Sequence, residues 1–107
     1  MSEEGYQGWA NRETWAFNLH WTNDQGLYNE TLEETQRYLA GVNDEASDYE
    51  LGENIVGYWQ EVIADYDEAV MPKLPEALRM MRDEVGSWWR INHAEVGAAI
   101  REHLSGE

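Results

Sequence analysis

Residues 14–22 read TWAFNLHWT, and the parsing of this stretch decides the fold. Trp15, Phe17, Leu19 and Trp21 occupy every second position, the pattern of a half-buried strand. The preceding Asn11-Arg12-Glu13-Thr14 points the other way. Asn is a strong N-cap, and a glutamate suits a first turn, near the positive end of the helix dipole. Partnership separates the two readings. A strand must pair, and the sequence offers no second segment of period two. A lone apolar strand would also present an unpaired edge, which natural proteins avoid. On a helix turning about 100° per residue, Trp15 and Leu19 lie on one side and Phe17 and Trp21 on nearly the opposite side. The stretch is therefore expected to be a helix apolar on two faces, central in the fold. Phe17 and Trp21 are then covered either by this chain's own helices or by a second molecule.

Helical periodicity continues on both sides. Asn23-Asp24-Gln25-Gly26 is a turn cluster in which Asp24 can cap a helix over roughly 25–40. That helix carries Glu30, Glu33 and Glu34 on its wet side and has Gly41 where a C-cap belongs. Residues 43–54 (NDEASDYELGEN) read as an acidic loop. Ile55, Trp59, Val62 and Tyr66, with Val56, Ile63 and Val70 alongside, form a wide apolar stripe on the next helix. Pro72 stops it, and Pro75 is placed to occupy the first position of another helix, with an apolar face of Leu74, Leu78, Met81 and Val85. Gly86 interrupts before Trp88-Trp89. Asn92-His93-Ala94-Glu95 has capping-box spacing, and Val96, Ile100 and Leu104 follow on one face. The expected architecture is all-α: a compact single-domain bundle of four to five helices with an acidic surface. A flexible arm over 1–8 precedes the domain at 9–104, and a disordered tail covers 105–107.

The 107 residues suit one domain, and six Trp argue against disorder. The charge is unusual: 22 Asp and Glu against 7 Lys and Arg, a formal −15, with a pI near 4.3. Lys73 is the single lysine. Such a chain lacks the basic surface that neutralises phosphates, which speaks against direct nucleic-acid binding and against anionic membranes. It attracts basic proteins instead. Without cysteine there is neither disulfide nor thiolate chemistry. No window is apolar enough for a membrane span and residues 1–9 lack signal-peptide features, so a cytoplasmic location is expected.

Gly8-Trp9-Ala10-Asn11-Arg12-Glu13-Thr14-Trp15, then Leu19, then Asn23-Asp24-Gln25-Gly26-Leu27-Tyr28, resembles the opening of small proteins of phages, plasmids and haloarchaea that begin G-W-x-N-x-E-T-W. Ile91-Asn92-His93-Ala94-Glu95-Val96 is similar to a V-N-W-R-E-I run in the same proteins, departing from it at His93 and Ala94. The resemblance covers about the first quarter of the chain and this short C-terminal piece. It implies a mobile element or a haloarchaeal host as context and brings no activity or site residue with it.

Catalytic patterns are missing from the sequence. His20, His93 and His103 lie in separate segments with no metal-binding spacing, and there is no nucleophile elbow, phosphate loop or thiol. Asp65, Asp67 and Glu76 imitate three positions of a calcium loop, but Val70 stands where glycine is needed, Ala69 replaces a ligand, and two prolines intervene. No enzyme activity, cofactor or metal is therefore expected. Two surfaces are candidates for binding. Glu61, Asp65 and Glu68 step along one helix face at roughly 5–6 Å, close to the spacing of strand phosphates, and a solvated helix face is the plainer reading. Phe17, Trp21, Trp88 and Trp89 form a candidate apolar contact face, through which a homo-oligomer can also form, and Trp9 invites the same reading. Two adjacent Trp on a helix cannot both face one core, so one of Trp88 and Trp89 is expected at the rim. Function divides between two readings. One is an acidic mobile-element inhibitor that mimics nucleic acid toward a basic host protein. The other is a haloarchaeal structural or interaction module whose acidity and lysine scarcity are adaptations to salt.

Overall fold

The structure is a computed structural model that describes residues 8–42, 44–68 and 75–106, with only the backbone described at 67 and 68. The described residues form five α-helices and no strand: α1 (Arg12–Asn23), α2 (Gln25–Gly41), α3 (Asp48–Glu68), α4 (Glu76–Val85) and α5 (His93–Gly106). A 3-10 turn, Trp88–Arg90, joins α4 to α5. TWAFNLHWT is α1, started by the Asn11 side chain, which accepts from the Thr14 N–H at 2.9 Å. Asp24 starts α2 in the same way through the Leu27 N–H, at 3.0 Å. Pro75 is the N-cap of α4 rather than its first helical residue, and Gly86 ends that helix at φ 71°.

The largest departure from the sequence reading lies in 43–54. Helix α3 begins at Asp48, inside the expected acidic loop, because Ser47 and Glu50 form a reciprocal capping box. The Glu50 N–H donates to Ser47 Oγ at 3.2 Å, and the Ser47 N–H donates to Glu50 Oε1 at 2.9 Å. Leu51 is then fully buried in the first turns. At the other end, α5 runs to Gly106, two residues into the expected tail. Residues 69–74, with Val70, Pro72 and Leu74, lie outside the described residues.

The most extensive packing is between α3 and α5. A Cβ on Gly52 would collide with the His93 carbonyl, and one on Gly97 with the Asp48 carbonyl. Contact of 52 with 93 and of 48 with 97 runs the two helices antiparallel, backbone against backbone. Arg101 fastens this crossing, donating from Nε to Asp48 Oδ1 at 2.7 Å and from Nη2 to the Ala46 carbonyl at 2.8 Å. α1 packs on α5 and, more extensively, on α4 and α2. Ile55, Met81, Val85, Val96 and Ile100 close the core around Phe17 and Trp21. The buried polar groups are answered locally. Trp21 Nε1 donates to Asn18 Oδ1 at 2.8 Å, Trp59 Nε1 donates to Thr31 Oγ1 at 3.0 Å, and no buried side-chain N or O among the described residues lacks a partner.

A second fastening joins the starts of α1 and α5. Thr14 Oγ1 donates to Asn11 Oδ1 at 2.7 Å and accepts from the Asn92 N–H at 2.8 Å. Asn11 Nδ2 donates to the Arg90 carbonyl at 2.8 Å, and the Ala10 N–H donates to Glu95 Oε1 at 2.8 Å. Asn92 caps α5 through the Glu95 N–H at 3.1 Å. The expected capping box is thus half-formed, because the Glu95 carboxylate reaches Ala10 rather than the Asn92 N–H. The two segments that carry the family resemblance meet in this latch.

Gly97→Ala should force α5 off α3 and destabilise the domain by about 3 kcal/mol, whereas Gly57→Ala, with open space around it, should stabilise it by about 0.5–1 kcal/mol. Thermal unfolding followed by circular dichroism checks both signs. Thr14→Val leaves the Asn92 N–H without its acceptor and should cost about 1–3 kcal/mol; Thr14→Ser should restore most of it in the same assay.

Candidate functional site

The apolar candidates separate on inspection. Phe17 and Trp21 have no exposed surface, which removes them from any contact face. Phe17 meets the edge of Trp88 with ring centroids 5.6 Å apart. Trp21 stacks on Tyr28 at 5.9 Å and takes the His103 ring edge-on at 5.2 Å. The correction has a simple cause: α2, α4 and α5 all pack on α1, and between them they cover that side. Of the adjacent tryptophans, Trp88 is half-buried and Trp89 is 80% exposed, with the Arg90 guanidinium 5.5 Å from its ring centre. They sit in the 3-10 turn, not on a helix. The opposite side of α1, with Trp15 and Leu19, is only half-buried. It borders an open groove of about 370 Å³ against α5, which adjoins a second of about 460 Å³; Trp9, Ala99 and Glu102 line both.

The acidic candidates fall on α3. Glu61 and Asp65 are exposed; the Glu68 side chain is outside the described residues. They share a helix face with Asn54 and Tyr58, at i, i+4, i+7 and i+11. Two of these residues bond the neighbouring helix: Asn54 Nδ2 donates to Glu34 Oε2 at 3.5 Å, and the Tyr58 hydroxyl donates to Glu30 Oε2. The antiparallel seam of α2 and α3 therefore gathers Glu30 and Glu34 from one helix and Glu61 and Asp65 from the other. From 25 to 68 the chain has 12 Asp and Glu, and Arg37 is its sole cation. Arg37 Nη2 pairs with Glu34 Oε1 at 2.7 Å, and that hydrogen bond raises the guanidinium pKa above its ordinary value. Burial first, then the hydrogen bond to Glu30, pushes the Tyr58 hydroxyl up to about 12.

The histidines stay apart. His20 Nε2 lies 2.7 Å from Glu84 Oε1, His103 Nδ1 lies 3.3 Å from the Tyr28 hydroxyl, and His93 packs edge-on against Tyr49. Among the described residues no three His, Asp or Glu gather as a metal-holding group, and no helix is long and apolar enough to cross a membrane. Residues 69–74 of the calcium-loop likeness lie outside the described residues. Sequence reasoning picked out Glu61 and Asp65 but not Glu30 and Glu34 as their neighbours, which depends on how α2 pairs with α3. It noted Trp9 as a tryptophan but not the groove it borders.

The chain belongs to the family of unknown function DUF7249, whose pattern matches residues 2–104. No curated protein and no solved structure matches it.

In alkaline titration read by tyrosinate absorbance, the component lost in Tyr58→Phe should ionise near 12 rather than the ordinary 10. Glu30→Gln removes a negative acceptor that favours the protonated hydroxyl, so it should lower that value.

Proposed function

We propose that this chain is a non-enzymatic acidic binding module whose α2–α3 seam engages a basic protein, in the manner of a nucleic-acid strand. The observation that carries the reading is the concentration of charge: more than half of the 22 acids lie between residues 25 and 68, and acids from two helices converge on one seam. Exposed carboxylates at Glu33, Glu53, Glu61 and Asp65 add to it. A basic groove shaped for phosphates meets a similar density of negative charge there, and long-range attraction would speed the encounter at low salt. An inhibitor of this kind would act by occupation and needs no catalytic group. The resemblance of the N-terminal motif to proteins of phages and plasmids supports a mobile-element setting.

A second reading rests on a separate observation. Lysine occurs once, at Lys73, against six arginines. Mimicry of a nucleic acid gives no reason to avoid lysine, whereas a proteome-wide habit of acidic, lysine-poor surfaces does. In that case the protein is a haloarchaeal structural or interaction module, and self-repulsion should loosen it in dilute buffer.

Proteins captured from a host lysate at low salt should be released by raised salt and displaced by double-stranded DNA. The triple variant Glu33→Gln, Glu61→Gln, Asp65→Asn should bind the captured protein about tenfold more weakly, ~1.4 kcal/mol. Capture indifferent to DNA would remove the mimicry reading. Unfolding on dialysis into low-salt buffer would favour the salt-adaptation reading.

A further inference from the structure

Trp9 is half-buried yet stands outside the apolar core cluster, which includes or touches Trp15, Trp21, Trp59 and Trp88. It lines two adjoining grooves, one between the Gly8–Trp9 segment and α5 and the other between α1 and α5, and both are open to solvent. Ala98 and Ala99 keep the α5 side low. The acids of these grooves are Glu95 and Glu102, seven residues apart and so on one helix face about 10 Å apart. One oxygen of Glu95 is taken by the Ala10 N–H. Glu102 is exposed and has no hydrogen-bond or ion-pair partner among the described residues. Asn18 and Thr22 are spent on partners within α1. Among the described residues no lysine or arginine lines either groove, and Arg101, next to Glu102, is held by Asp48 and Ala46.

An indole beside a carboxylate that has no partner among the described residues, in a trough whose described lining holds neither lysine nor arginine, suits one chemistry. We infer that the Trp9 groove binds an arginine side chain from an extended segment of a basic protein. The guanidinium plane stacks on the Trp9 ring while its N–H fork meets the Glu102 carboxylate. Arginine fits better than lysine because the guanidinium is planar, weakly hydrated and able to bond the carboxylate through two N–H groups. The chain already displays the pairing on its own surface, where the Arg90 guanidinium lies over Trp89. The volume of the two adjoining grooves leaves room for residues flanking the arginine. This site extends the basic-partner reading to α1 and α5, and it stands on residues that the α2–α3 seam does not use.

The probe is a blocked hexa-arginine peptide titrated against the full chain, followed through the Trp indole N–H resonances in NMR, with hexa-lysine as comparison. The Trp9 resonance is assigned by its loss in Trp9→Ala. Hexa-arginine should shift it more strongly than hexa-lysine does. Affinity should fall about threefold to tenfold in Glu102→Gln and in Trp9→Ala, while Glu61→Gln with Asp65→Asn leaves the Trp9 shift in place. Glu102 is exposed and has no partner among the described residues, so its variant tests the site without endangering the fold. Unchanged affinity in Glu102→Gln overturns the inference. So does a Trp9 shift that vanishes in the α3 double variant, which would leave the seam as the sole basic-partner surface. A Trp9 shift driven by protein concentration alone would mark the groove as a contact between copies and also overturn it.

Discussion

The distance between α3 and α5 is set by two hydrogen atoms. Gly52 and Gly97 each sit where the first residue of the opposite helix presses its carbonyl, so any larger side chain would part the helices. Val96 and Ile100 of α5 and Ile55 of α3 belong to one buried core, in which Phe17 and Trp21 are completely enclosed. Glycine in a helix is ordinarily a liability, costing about 1 kcal/mol relative to alanine. Here it is the condition for a close crossing, and Arg101 then locks the same crossing from the outside.

A different kind of specification comes from polar groups. Apolar packing alone is tolerant of small rotations, but the Asn11, Thr14 and Asn92 network is not. Thr14 is fully buried, and its hydroxyl both donates and accepts, so the start of α5 has one position relative to the start of α1. This gives the residues of the G-W-x-N-x-E-T-W opening concrete work: Asn11 and Thr14 fasten two helices, and the Glu13 carboxylate lies 3.5 Å from Arg90 Nε. Trp9 takes no part in that network or in the core. Among the described residues it stands apart from both.

Local chemistry was legible in the sequence, and pairing was not. Caps at Asn11 and Asp24, the stop at Gly86 and the stripe from Ile55 to Tyr66 all follow from neighbours within a turn or two, and the all-α fold follows from them. The start of α3 was hidden because Ser47 and Glu50 lie in a run of acids, and because Gly52 reads as a loop residue until α5 is known to press on it. The choice between the two apolar sides of α1 could not be read at all. Phe17 and Trp21 differ from Trp15 and Leu19 only in which neighbours arrive on their side. The acidic stripe of Glu61 and Asp65 could be read from spacing, but its extension through Glu30 and Glu34 needed the register in which α2 lies along α3.

The latch also bears on the order in which the molecule can be made. Thr14 and Asn92 are separated by 78 positions, and α5 supplies both the wall that seals Trp21, through His103, and the surface against which α3 closes. While the chain emerges from a ribosome, α1 can wind early under its own cap, but its aromatic side is not fully enclosed until α5 appears. During synthesis Phe17 and Trp21 have α2 and α4 to pack against, and α5 completes their enclosure.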